Sequence, residues 1–153
     1  MNLPVIEENK ASVRRHIELL DRRNLDGAIA MCAPGAIFHG FTPGPLPVEG
    51  FRQYMRLFLD TYPDARFFVG DVIAEGEKVV VRYTLRGSHQ VALQDRPPYS
   101  QRALTVTVFV ISIFHVVQGK IVDIWVHADF PDLMPHLDPT PAPNEIVKVP
   151  RAV

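Results

Sequence analysis

The sequence predicts an α+β domain in which helices come first and a curved, mainly antiparallel sheet then wraps around them, leaving a pocket between. Three observations carry this reading. Apolar residues recur at helical spacing in three stretches before residue 62. From Ala65 onward the pattern changes to runs of β-branched and aromatic residues with period two. The longest of these, Ala103 to Phe130, folds back on itself at Gln118-Gly119 and reads as a hairpin. Both of its arms are mainly apolar, so it belongs in the middle of a sheet.

The helical stretches come in order. Glu7 to Leu20 carries Val13, Ile17 and Leu20 on one face, with Arg14, Arg15 and Glu18 between them. Asn24-Leu25-Asp26 reads as a cap for a short second helix with Leu25, Ala28, Ile29 and Cys32 on its apolar face, ended by Ala33-Pro34-Gly35. Ala36 to Gly40 is a short strand, and Thr42 to Pro47 an irregular, proline-rich loop. A third helix, Phe51 to Thr61, presents Phe51, Tyr54, Met55, Phe58 and Leu59, and Tyr62-Pro63-Asp64 stops it.

The strands follow. Ala65 to Glu75 is a strand and Gly76-Glu77 a turn. Lys78 to Gly87 alternates, with Val79, Val81, Tyr83 and Leu85 on one face and Val80, Arg82, Thr84 and Arg86 on the other. Ser88 to Gln101 is a connection, marked by Arg96-Pro97-Pro98. In the hairpin a three-residue loop, Val117 to Gly119, would pair Val116 with Lys120 and set Asp129 opposite Thr107. Beyond it, Pro131 to Leu137 has room for one helical turn, Asp138 to Pro143 can be neither helix nor ladder, and Ile146 to Val149 could form a short edge strand. The expected organisation is one domain over 1–137 and a proline-rich tail over 138–153.

Composition narrows the function. The chain has 153 residues, 47 % of them apolar, and a formal net charge of −1, so nothing steers it toward nucleic acid or an anionic membrane. Its one cysteine, Cys32, excludes an intrachain disulfide and a cysteine-based zinc site, and its apolar neighbours point to a buried, inert thiol. The N-terminus lacks a basic start followed by an apolar block, and the longest apolar run, Val106 to Ile113, is too short to span a bilayer as a helix. A soluble, cytoplasmic protein is expected. No metal site is expected, because His127 and Asp129 alone make a poor one, and phosphate-binding and serine-elbow motifs are absent.

Two segments, Asp71–His89 (DVIAEGEKVVVRYTLRGSH) and Ile113–Trp125 (IFHVVQGKIVDIW), resemble the SnoaL-like polyketide cyclase family, which has the NTF2-like cone fold. Asn9 to Asp26, Phe38-His39-Gly40 before the proline-rich loop, and Phe51 to Pro63 fit the same pattern, so the resemblance spans about residues 7–137. It implies a cofactor-free enzyme in which an acid on the last strand, helped by a histidine, moves a proton during an intramolecular aldol closure. The family's usual ending is a Trp, an Asp directly after it, and another Asp three residues on. Here these positions hold Trp125, Val126 and Asp129. The fold also hosts isomerases, dehydratases, epoxide hydrolases and non-catalytic domains, and family members lacking the acid are associated with hydroxylation.

Strand alternation puts Asp123, Trp125, His127 and Asp129 on one face and Val122, Ile124, Val126 and Ala128 on the other. One face should line the pocket and the other should meet a second subunit, giving a homodimer; residue types alone allow either assignment. Asp129 and His127, side by side, make a workable acid/base pair, or a solvent-exposed strand end. His39, at a family histidine position, Tyr83, where the family usually has Trp, and Trp125, Phe58 and Phe109 are the candidate walls of the substrate site. His115 reads as a rim histidine, roughly 25 Å or more along the hairpin from Asp129. His89 reads as turn-stabilising, and Arg82 and Arg86 as solvated, ion-paired or carboxylate-binding. The expected function is cofactor-independent acid/base catalysis on a hydrophobic, polyketide-like or polycyclic molecule. The alternative is a non-catalytic binding module, or a hydroxylase-associated relative without the acid.

Overall fold

The computed structural model describes residues 2–92 and 101–128, with side chains described outside 89–92 and 101–104. The chain runs α1 (Leu3–Asp21), α2 (Leu25–Ala30), β1 (Cys32–His39), β2 (Leu46–Pro47), α3 (Val48–Thr61), β3 (Arg66–Glu75), β4 (Lys78–Ala92), β5 (Gln101–Val117) and β6 (Lys120–His127). The six strands form one open sheet in the order β2-β1-β6-β5-β4-β3. All neighbours are antiparallel except β1 and β6, which run parallel with His39 beside Trp125. The helix-then-sheet reading therefore holds, and the sheet is mainly antiparallel as expected, with one parallel pair. The hairpin β5–β6 lies mid-sheet, as its two apolar faces require.

Local chemistry sets the helix ends. Pro4 sits in the first turn of α1, where its missing N–H costs nothing. At the other end Arg23 takes a left-handed φ of 65°, and its guanidinium donates to the carbonyls of Asp21, Pro63 and Ala65. Those bonds tie the exit of α1 to the turn between α3 and β3 and offset the cost of a non-glycine residue there. Asn24 caps α2, its Oδ1 accepting from the Gly27 N–H at 2.9 Å.

Three expectations are corrected. Cys32 does not extend α2; it opens β1, because its neighbours Ala33-Pro34-Gly35 cannot continue a helix. It is buried there, its thiol contacts the Ala28 carbonyl, and burial pushes its pKa to about 12, so the expectation of an inert thiol stands. The hairpin turn has two residues rather than three. Gln118 and Gly119 both take positive φ, 49° and 77°, which matches the twist of the flanking strands, and Val117 pairs with Lys120. The connection after Gly87 is shorter than expected, since β4 continues to Ala92 and pairs with β5 down to Gln101. Residues 93–100 and 129–153, with the expected helical turn, the tail and Asp129, lie outside the described residues.

The core lies between the sheet and the helices. Val79, Val81, Tyr83 and Leu85 share the inner face of β4, as their alternation predicts, and Val108, Val110, Ser112 and Phe114 continue that face on β5. In β6 Val116 opposes Ile121 while His115 opposes Asp123, so Val122 is an extra, unopposed residue. This bulge lets Ile121, Ile124 and Val126 all point inward. Against them pack Val13, Ile17 and Leu20 of α1 and Phe51, Tyr54, Met55 and Phe58 of α3. Among the described residues no helix is long and apolar enough to cross a membrane.

Candidate functional site

Between the inner sheet face and the helices lies a narrow cavity of about 30 Å³, partly open to solvent. That is room for about two water molecules, so a larger guest requires the wall side chains to shift. Its wall is built from residues of two helices and four strands. The third helix contributes Phe51, Met55 and Phe58, the first Ile17 and Leu20, and the sheet Phe67, Tyr83, Leu85, Phe114 and Ile124, with Phe41 near β1. Among the described residues the wall holds no Asp, Glu, Lys or Arg.

One polar ring stands in it: His16 of α1, only 1 % exposed. Its Nδ1 lies 3.0 Å from the Ala28 carbonyl oxygen of α2. A carbonyl only accepts, so Nδ1 carries the proton and Nε2 keeps the lone pair. Phe51 stacks near the ring at 6.5 Å between centroids, and Phe114 meets it edge-on at 5.8 Å. Burial lowers the imidazole pKa from 6.5 to about 4, against the opposing pull of the Ala28 carbonyl. The ring is neutral at physiological pH. Tyr83 brings the other polar atom of the wall. Its hydroxyl is already engaged with Ser112 Oγ at 3.2 Å, and burial pushes its pKa to about 12.

The outer face of the same sheet holds a second group of side chains. Asp123 of β6 reaches His39 Nε2 at 3.2 Å with one oxygen and His115 Nδ1 at 3.6 Å with the other. His115 continues to Glu77 at 3.7 Å. His39 stacks on Trp125 with centroids 5.0 Å apart and planes at 6°, and Lys78 Nζ stands 4.5 Å from the Trp125 ring centre. These groups are partly exposed and satisfy one another. Among the described residues no group of three or more His, Cys, Asp or Glu side chains could hold a metal ion.

The structure thus divides the residues expected in one site. Tyr83 and Phe58 line the cavity. His39 and Trp125 stand on the outer face with Asp123, Phe109 is 71 % exposed there, and His127 is exposed on the outer face of β6. Arg82 also lies outside, paired with Asp71 at 2.7 Å. Asp129 and the side chain of His89 fall outside the described residues. On the inner face, directly after Trp125, stands Val126, 3 % exposed. His16 was not among the expected residues. Its signal lay in the helix spacing: three residues after Val13 and four before Leu20, it shares their apolar face.

The sequence profile of the SnoaL-like polyketide cyclases matches residues 10–137. The chain belongs to the SnoaL-like polyketide cyclase family. No curated protein matches it. Solved structures of the same shape include AclR from Streptomyces galilaeus, a proposed hydroxylase, at 22 % identity and a TM-score of 0.71, covering 89 % of this chain and 99 % of that one. A proposed SnoaL-like polyketide cyclase from Jannaschia sp. CCS1 matches at 20 % identity and 0.70, covering 92 % and 99 %. IdmH from Streptomyces antibioticus, a proposed polyketide cyclase, matches at 21 % and 0.67, covering 84 % and 97 %. At these identities the likeness speaks for the NTF2-like cone, and family membership rests on the profile. In the family's usual ending the position after the tryptophan is an acid; in this chain it is the inward-facing Val126.

Proposed function

We propose that this chain takes a neutral, largely apolar, polyketide-like molecule into the cone and moves a proton on it, in cyclase or isomerase fashion, with His16 as the proton acceptor. The observation that carries this is the cavity wall. Among the described residues of the lining, none of them charged, His16 Nε2 is the group that can accept a proton at neutral pH. The apolar wall supports an apolar substrate, and membership of the cyclase family supports proton-transfer chemistry. An imidazole of low basicity is a weak base toward an acid in water. Against an apolar wall the imidazolium and the enolate form side by side and stabilise each other. On this reading His127 does not serve the cavity, because it is exposed on the opposite sheet face.

A second reading is favoured by Val126. With an apolar residue on the inner face where the family's pattern has an acid, the cone would bind its ligand without turnover. One experiment separates them. Naphthalene-1,3-diol interconverts with its keto form, and deuterium enters C2 and C4 in heavy water. If His16 moves the proton, the protein accelerates that incorporation, His16→Leu abolishes the acceleration and Asp129→Asn retains it. Binding without acceleration would favour the carrier. Acceleration lost in Asp129→Asn and kept in His16→Leu would return the chemistry to the last strand.

A further inference from the structure

The hydrogen-bonding polarity of His16 is fixed by the fold, and it constrains what the cavity can hold. The Ala28 carbonyl that receives Nδ1–H is itself built in: it also takes the Met31 N–H at 3.3 Å and faces the Cys32 thiol at 3.7 Å. Phe51 and Phe114 flank the ring and hold its plane. Nε2 therefore presents a lone pair, and among the described residues it has no hydrogen-bond partner. Among the described residues the cavity wall has no cation to receive a carboxylate. The ring proton of His16 is engaged with Ala28, and the Tyr83 hydroxyl shares with Ser112 Oγ a hydrogen bond in which either oxygen can be the donor.

We propose that the cavity reads hydrogen-bond donors: it selects a neutral molecule whose buried end carries a phenol or enol hydroxyl, which donates to His16 Nε2, over the same skeleton bearing an ether or a carboxylate. The inference rests on the reading above that the cone is the ligand site, and it adds the class of functional group that site recognises. A buried acceptor met by a donor is a favourable contact. The same acceptor facing an ether oxygen is left unpaired, and facing a carboxylate it is repelled. One such contact is worth about tenfold in affinity.

The test uses the whole chain and three naphthalenes of one shape: 2-naphthol, 2-methoxynaphthalene and 2-naphthoate, titrated at neutral pH by calorimetry. The proposal expects 2-naphthol to bind about tenfold tighter than the methyl ether, and the carboxylate weakest. In His16→Leu the preference for the naphthol over the ether should vanish while the ether still binds. Should that variant fail to fold, the ring ¹⁵N spectrum of the unsubstituted protein decides the tautomer: an Nε2–H, Nδ1-lone-pair ring overturns the proposal. Equal binding of naphthol and ether also overturns it but leaves the cavity as a ligand site. No binding of any of the three overturns the reading of the cone as a ligand site, and this proposal falls with it.

Discussion

The inner and outer faces of this sheet are made by alternate residues of the same strands, yet they handle polar groups in opposite ways. Outside, Asp123 is shared between His39 and His115, His115 reaches on to Glu77, and Trp125 is covered by His39 and Lys78. Many titratable groups are present, and each has a partner or water. Inside, His16 is held by one nitrogen and offers the other to an apolar space. A crowded polar cluster is thus a poor guide to a reactive site. A single group deprived of water and of a counter-charge is altered far more by its surroundings.

The comparison can be broken most severely through the inner wall itself. Phe51, 1 % exposed, stacks on Phe38 with centroids 4.0 Å apart and packs near both Phe41 and His16. Phe51→Ala should cost about 3–5 kcal/mol, read as a lower denaturation midpoint, and should enlarge the cavity beside His16. The next effect concerns protons. Unfolded, His16 titrates near 6.5; folded, it titrates at about 4. Between those values the unfolded chain binds more protons. The contribution of His16 is therefore fully present above pH 6.5 and is lost as pH falls toward 4, about 3 kcal/mol in all. Denaturant titrations of the parent chain and His16→Leu across that interval should differ in slope by this amount, the variant being flatter. Parallel pH profiles would mean that the ring is not stripped of water.

Smaller changes sharpen the contrast. Tyr83→Phe removes the hydroxyl bonded to Ser112 and leaves the 1 %-exposed Ser112 hydroxyl without that bond. About 1–2 kcal/mol of stability should go with it, measured by thermal unfolding. On the outer face Asp123→Asn disturbs the contacts to both histidines, but all three side chains are about a quarter to a third exposed. It should cost under about 1 kcal/mol and leave naphthol affinity unchanged in the same calorimetric titration. A large loss of affinity there would show that the outer cluster shapes the cavity.

Much of the fold was legible because periodicity reports which residues are buried. The alternation in β4 correctly separated Val79, Val81, Tyr83 and Leu85 from Arg82 and Arg86, and the apolar face of α3 was read residue by residue. The parallel pairing of β1 with β6 was not legible, since no local pattern says which distant strand a short run such as Ala36 to His39 will join. The candidate site was less legible still. His127 and Trp125 drew notice as reactive types close together in sequence and His39 as a match to a family histidine, and strand parity set all three on the face away from the cavity. His16 passed as an interruption in an apolar stripe. Only the position of the Ala28 carbonyl, supplied by a different helix, makes its second nitrogen significant.

The parallel pair has a consequence for how the chain is made. β1 bonds to the two-residue β2 on one side and to β6 on the other, and its contact from His39 to Asp123 spans 84 residues. At synthesis rates of about 5–20 residues per second, β6 follows β1 from the ribosome by on the order of ten seconds. Throughout that time β1 has a free backbone edge and an unburied Phe38, a residue that ends with no exposed surface at all. The cone cannot close progressively from its N-terminus. It closes when the last described strand arrives, and a ribosome that stalls before Lys120 leaves a strand open to pairing with another chain.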